Sequence, residues 1–334
     1  MKYAKRILMA LILGIFAIVL GVIVMVNVSP KPFVHWLART PQLTETPPSP
    51  KNIQIYTSQV TQLKNLTYPS KYKENKLDIY LPKKETSKKY PVILWVHGGA
   101  FITGDKKGLK DWGSMMASQG YIVVAMNYEV APAAHYPAPV IQTSEVYAYL
   151  KKNAHHYPNM DLDKLIVGGD SAGAQIAGQF IAVQTNKSLA DEMKMKQVVP
   201  KDTIKASLLY CGPYDIKYLT NVEGRLNRFF IGQLGWAYIG QKNWQQTQAA
   251  RNASVSQQVT AGYPPTFLTD GNSGSFEKHA KRLEKNLKEK QVPVTTLFFD
   301  GKKQISHEYQ FKLRTTEAKE CFSQTKTFLE KYVK

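Results

Sequence analysis

Ser171 sits in the run Gly168-Gly169-Asp170-Ser171-Ala172-Gly173, with a glycine two residues before it and another two after. The apolar β-type run Leu165-Ile166-Val167 leads in, and a helix-type run over residues 172–183 leads out. A serine held between glycines at a strand-to-helix turn is the pattern of a nucleophile elbow, whose flanking positions must be nearly free of side chain. Its hydroxyl then projects from the sheet at a helix N-terminus, where the dipole and unpaired N–H groups favour developing negative charge. An ordinary glycine-rich turn has the same five-residue look. What separates the two is whether the rest of the chain supplies a base and a place for an oxyanion.

The oxyanion loop is expected at His97-Gly98-Gly99-Ala100-Phe101, which follows the buried-strand run of residues 92–96. Such a loop folds tightly and aims N–H groups inward, so Gly99 and Ala100, joined by the Ala172 N–H, form the expected oxyanion hole. His97 precedes the serine and reads as a structural hydrogen-bonder of this loop. The base should follow the serine in chain order, which leaves His279 and His307. His279 lies in the charged helical stretch of residues 276–290 and reads as a solvated face residue. His307 lies in a loop between the β-type run 294–299 and the last helix, 315–332, and is the expected base.

These segments fall in one order with Leu77-Asp78-Ile79-Tyr80-Leu81-Pro82, Asn127-Tyr128, Ala131-Pro132 and Tyr136-Pro137-Ala138. In that order, over about residues 65 to 334, the chain resembles an α/β-hydrolase of the hormone-sensitive-lipase-like esterase group. Kynurenine-formamidase-like and feruloyl/acetyl-xylan-esterase-like enzymes are related. The resemblance implies an α/β fold with a mostly parallel central sheet flanked by helices and a lid inserted after the sixth strand. It also implies a serine hydrolase that cleaves carboxylic esters through an acyl-enzyme, with no metal or organic cofactor. Substrate is not implied, because one fold hosts many functions; an amidase or peptidase of the same fold, a polysaccharide acetyl or feruloyl esterase, and a non-catalytic surface binding domain are the alternatives.

One departure concerns the triad acid. Where the resemblance places an aspartate, in the loop after the strand before the last, this chain has Ser273 or Gly274. Asp270 stands slightly early and is the expected acid; Glu277, slightly late, and Asp215, after the run 204–210, are the alternatives. A serine–histidine pair oriented by a hydroxyl or a water is the remaining option. The acid's task is to fix the imidazole tautomer and stabilise imidazolium.

The elements that must position these groups follow from periodicity. Strands are expected at 92–96, 121–126, 165–167, 204–210, 266–269 and 294–299, and helices at 140–153, 172–186, 276–290 and 315–332. Such alternation argues a mostly parallel sheet covered by helices. Residues from about 217 to 259 interrupt it with Phe229, Phe230, Trp236, Tyr238 and Trp244, and are the expected lid. Ahead of the domain, Lys2, Lys5 and Arg6 precede an apolar run over residues 7–28. That run is long enough for a hydrocarbon core of about 30 Å, and its basic end should stay in the cytoplasm. Residues 1–28 are therefore expected as an uncleaved anchor that leaves the catalytic domain outside the cell. The proline-rich residues 29–51 are an extended tether, and residues 52–334 the folded domain.

A net charge of +19 suits an anionic membrane or cell-wall surface. The lysines are scattered and no groove-reading motif is present, which excludes a nucleic-acid reading. Cys211 and Cys321 lack metal-ligand spacing and are expected as buried thiols. The sequence does not fix an oligomeric state.

Overall fold

The structure is a computed structural model describing residues 2–83 and 88–334; Met1, the first residue of the expected anchor, lies outside them. Among the described residues one sheet carries eight strands: β1 (Val60–Thr67), β2 (Lys76–Pro82), β3 (Tyr90–Val96), β4 (Ile122–Met126), β5 (Met160–Asp170), β6 (Ile204–Tyr210), β7 (Thr266–Thr269) and β8 (Val294–Leu297). Their order is β1-β2-β4-β3-β5-β6-β7-β8. β1 and β2 pair antiparallel, as do β2 and β4, and the remaining neighbours are parallel. β3 is buried along its whole length, as an apolar strand covered on both faces must be. Its side chains alternate between two cores: Val92, Leu94 and Val96 on one face, Ile93 and Trp95 on the other.

The helices are α1 (Lys2–Val28), α2 (Lys31–Leu37), α3 (Pro41–Thr44), α4 (Ile53–Thr57), α5 (Lys110–Ser118), α6 (Ala138–Lys152), α7 (Ala172–Thr185), α8 (Lys187–Glu192), α9 (Arg225–Ile239), α10 (Gln248–Asn252), α11 (Glu277–Glu289) and α12 (Thr316–Tyr332). Helices α6, α7 and α11 cover the first face and α5 and α12 the second. All six expected strands and all four expected helices are present. The antiparallel pair β1–β2 and helix α5 are additions. β1 is largely exposed and slips register between Leu63 and Leu66, so it has no clean apolar alternation to read. β5 begins five residues ahead of the expected start at Leu165, because polar Asp161, Asp163 and Lys164 mask its first half.

The region expected as an extended tether is partly helical. Pro32 and Pro41 fall in the first turns of α2 and α3, where a fixed φ fits and no N–H is needed. Val34 of α2 is fully buried against Ile102, Ala131, Leu234 and Ala237, and Phe33 stacks 5.5 Å from Phe229 and 5.1 Å from Phe230 of α9. The end of α1 joins the same surface: Gln233 Nε2 donates to the Val26 carbonyl at 3.1 Å, and Lys242 Nζ donates to that of Asn27 at 2.7 Å. Helices α9 and α10 form the segment between β6 and β7. Its inner end is fixed by Tyr238, which stacks on Phe101 at 3.8 Å and donates to Gln175 Oε1 at 2.9 Å.

Candidate active site

Ser171 lies between the end of β5 and the start of α7 with φ 48° and ψ −120°, a left-handed φ that a non-glycine residue adopts only where its surroundings enforce it. Steric crowding explains the glycines around it. A Cβ on Gly173 would run into the Val96 and His97 carbonyl oxygens, and one on Gly169 into the Gly173 carbonyl. Helix α7 begins at Ala172, so that residue's N–H has no carbonyl partner one turn earlier.

The loop after β3 is pressed against this elbow. Positive φ values at Gly99 (119°), Ala100 (52°) and Phe101 (66°) turn it back, and the Gly98 N–H donates to Asp170 Oδ2 at 2.8 Å. His97 stacks on Tyr128 with ring centroids 4.4 Å apart, and its Nδ1 lies 2.7 Å from the Gly98 carbonyl. Burial lowers its pKa and so favours the neutral ring. Its contacts match the structural role expected of it.

His307 reaches Ser171, its Nε2 2.9 Å from Ser171 Oγ. Its other nitrogen meets a residue that the sequence reading passed over: Nδ1 lies 2.7 Å from Ser275 Oγ, and Ser275 in turn donates to Asp270 Oδ1. Asp270, the expected acid, is fully buried at the end of β7 and connects to the imidazole through one intervening hydroxyl. Ser273 is instead a backbone partner, its N–H donating to the Ile305 carbonyl at 3.0 Å. The two loops meet closely: a Cβ on Gly271 would strike the carbonyls of Ile305 and Ser306, both at 2.5 Å. Burial pushes the Asp270 carboxyl up to about 7 and the His307 imidazole down to about 4. Both shifts favour the neutral form, as expected for groups taken from water.

The other acids lie elsewhere. Glu277 pairs with Lys281 at 2.7 Å on the flank of α11. Asp215 is buried, accepts from Ser256, and lies 3.4 Å from Arg282 Nη1. His279 is not the solvated residue that its charged helix suggests; it is half-buried and its Nδ1 accepts the Asp215 N–H at 3.1 Å. An unanticipated pair links the residues beside Ser171 and His307: the Asp170 and Glu308 carboxyls hydrogen-bond to each other, and burial pushes both up. Trp95 Nε1 also donates to Asp170 Oδ1, at 2.7 Å. Two carboxyls in such contact share a proton rather than both ionise.

Cys211 and Cys321 are both buried free thiols, and burial raises the pKa of each. Cys211, Asp270 and His307 bring ligand-type atoms within 4.8 Å of one another, a spacing a metal ion could bridge. All three are engaged in hydrogen bonds, the thiol with Gln310 at 3.3 Å and the other two with Ser275.

The family model described as BD-FAE matches residues 77–287, a stretch that holds Ser171 and Asp270. Among curated proteins the chain is similar to the probable carboxylic ester hydrolase LipM of Mycobacterium tuberculosis, 26% identical over 215 residues that make up 64% of this chain and 48% of LipM. It is also similar to the esterase LipQ of the same organism, 28% identical over 236 residues, covering 70% of this chain and 53% of LipQ. The chain thus spans about half the length of these two relatives. Among solved structures, esterase B from Lactobacillus rhamnosis superposes with a TM-score of 0.71 at 22% identity, covering 91% of this chain and 94% of that one. Likeness at that identity shows the fold, which is the α/β-hydrolase fold with its mostly parallel sheet between helical layers.

Proposed function

The chain belongs to the BD-FAE family, and on that premise we propose that it is a serine carboxylic-ester hydrolase working through an acyl-enzyme. The observation that carries this reading is the 2.9 Å contact between His307 Nε2 and Ser171 Oγ at a strained strand-to-helix turn. Ser171 Oγ attacks the ester carbonyl as His307 Nε2 takes its proton. The tetrahedral oxyanion is held by the N–H groups of Gly99, Ala100 and Ala172. His307 then protonates the departing alcohol, and a water activated by the same nitrogen releases the acid and restores Ser171. Helices α9 and α10 act as the lid, with Tyr238 and Phe101 forming part of the acyl wall.

The enzyme is held at a membrane by α1 with its catalytic domain on the outer side. Support comes from the 27-residue length of α1, about 40 Å at 1.5 Å per residue, and from an apolar stretch none of which is buried. Lys5 and Arg6 lie at its start, as an inward-facing end requires. Further support is the exposure of Trp36, Leu226 and Phe229 on α2 and α9, beside the end of α1. Such apolar side chains next to a membrane-crossing helix suit the interface of a bilayer.

Activity on p-nitrophenyl acetate and butyrate tests the chemistry. Ser171→Ala should remove turnover by several orders of magnitude and abolish labelling by a fluorophosphonate probe; wild-type rates in that variant would overturn the assignment. Protease added to intact cells tests the topology. It should digest the domain without lysis, and protection until lysis would reject an outward-facing domain.

A further inference from the structure

We propose that Ser275 is the positioning residue that couples Asp270 to His307, and that its single hydroxyl proton decides which imidazole nitrogen faces Ser171 as an acceptor. The proposal rests on the reading of Ser171 and His307 as nucleophile and base.

The argument is one of proton counting. A serine hydroxyl has one proton to donate and lone pairs to accept with. An ionised Asp270 has none to give, so the Ser275 proton is directed at Asp270 Oδ1. The hydroxyl oxygen then presents only lone pairs to His307 Nδ1, 2.7 Å away, and only an Nδ1–H tautomer satisfies that contact. Nε2 is left as the acceptor for the Ser171 O–H at 2.9 Å, which is the state a general base needs. Protonating Asp270 reverses the chain. The new carboxyl O–H donates to Ser275 Oγ, and Ser275 turns its own proton to Nδ1. The imidazole then carries its proton on Nε2 and cannot take one from Ser171. The imidazole tautomer changes by proton exchange with water: the Nδ1–H bond breaks, an Nε2–H bond forms, and the added proton stays on Asp270.

The surroundings of Asp270 suit such a switch. Facing it are the Cys211 thiol and Tyr214 phenol beyond β6, both pushed further up by burial and therefore neutral, and the His307 imidazole across Ser275. Glu308, paired with Asp170, also acts on the Cys211 thiol and raises it further. Buried Asp270 is pushed to about 7 while His307 falls to about 4. The acid limb of activity should therefore report an aspartate that touches neither the substrate nor the imidazole. Its sign follows: the base-competent tautomer needs ionised Asp270, so kcat/KM rises with pH through about 7 and stays low beneath it.

The experiment compares full-length wild type with Ser275→Ala, Ser275→Thr, Asp270→Asn and Ser171→Ala. It measures kcat and KM on p-nitrophenyl butyrate from pH 5 to 9, with melting temperature as a check on folding. Ser275→Ala should lower kcat by about 10²-fold or more, up to the roughly 10⁴-fold that the wrong tautomer costs a serine–histidine–aspartate unit, with KM little changed. Ser275→Thr, which keeps the hydroxyl, should recover most of that loss. The limb near pH 7 should persist in Ser275→Thr and vanish in Ser275→Ala and Asp270→Asn. A folded Ser275→Ala with wild-type kcat and an unmoved limb overturns the coupling. So does a folded Ser275→Thr no better than Ser275→Ala, since packing rather than the hydroxyl would then matter. If Ser171→Ala is inactive, either result rejects only the role of Ser275; if Ser171→Ala is active, the nucleophile reading itself has failed.

Discussion

Two clusters in this molecule are built from the same parts. Asp215, beyond β6, is buried, accepts from a serine hydroxyl (Ser256) and adjoins a histidine, His279. Asp270, at the end of the neighbouring β7, is buried, accepts from Ser275 and through it adjoins His307. Phe276 separates them, packing edge-on against His279 at 5.7 Å and against His307 at 5.4 Å. The difference lies in which atoms are already engaged. His279 Nδ1 is taken by the Asp215 backbone N–H, and Asp215 itself has the Arg282 guanidinium 3.4 Å away. His307 spends Nδ1 on Ser275 and keeps Nε2 for Ser171. A histidine beside a buried acid and a serine is therefore not a base by composition. It becomes one when a nitrogen remains to face a nucleophile.

The comparison is broken most directly at the two rings. His307→Gln should cut kcat/KM for p-nitrophenyl butyrate by roughly 10⁶-fold, the range seen when the base of such a unit is removed. His279→Gln should stay within about threefold of wild type, because a carboxamide oxygen can still accept the Asp215 N–H and a residue remote from the reacting atoms has little leverage on the chemical step. Equal losses in two folded variants would show that the clusters are not functionally distinct.

The acids should separate by what they damage. Asp270→Asn should depress turnover on the order of 10²-fold or more while leaving most of the stability. Asp215→Asn should do the opposite. It leaves Arg282 without its charge partner and weakens a buried hydrogen bond, a loss of about 1–3 kcal/mol, visible as a lower denaturation midpoint with kcat nearly intact. Urea unfolding monitored beside initial rates on the same samples checks both halves; an exchange of the two phenotypes would assign the acid to Asp215.

How much of this was open to the sequence reader depends on the kind of constraint. The elbow was readable because sterics dictate it: only glycine fits at 169 and 173, where backbone carbonyls crowd the missing Cβ. His307 followed from chain order and from its place after the last strand. Ser275 was hidden because no spacing rule links it to His307; the two meet through contacts between separate loops, at Gly271 against Ile305 and in the Ser273–Ser306 bridge. The position of His279 was legible but overlooked. Phe276, His279, Ala280, Leu283 and Leu287 recur at helical spacing, and Ala280, Leu283 and Leu287 are buried, so the inward stripe passes close to His279 despite the charges around it. The packing of α2 on α9 was obscured by proline density, which suggests extended chain unless each proline happens to fall in a first helical turn.

The smallest expected effect concerns the other acidic pair, and it sharpens the contrast with Asp270. Glu308 is pushed well above the usual carboxylate range by burial and by the Asp170 charge beside it, yet it follows His307 in the chain and pairs with Asp170 rather than with Ser171 or His307. Its raised pKa carries a sign for stability. The folded state holds a proton that the unfolded chain gives up near pH 4.3. The stability contributed by that proton is thus complete below this pH and is lost progressively as pH rises toward and through the folded pKa. Glu308→Gln keeps a donor for Asp170 and removes the titration. Its melting temperature should match that of wild type near pH 4.5 and exceed it at pH 8 to 9, on the order of 2 °C for each 1 kcal/mol in a domain of this size. Turnover should be almost unchanged. A constant offset between the two proteins across pH would mean that Glu308 does not titrate differently in the folded state, and would leave the Asp170–Glu308 contact a matter of packing rather than of a shared proton.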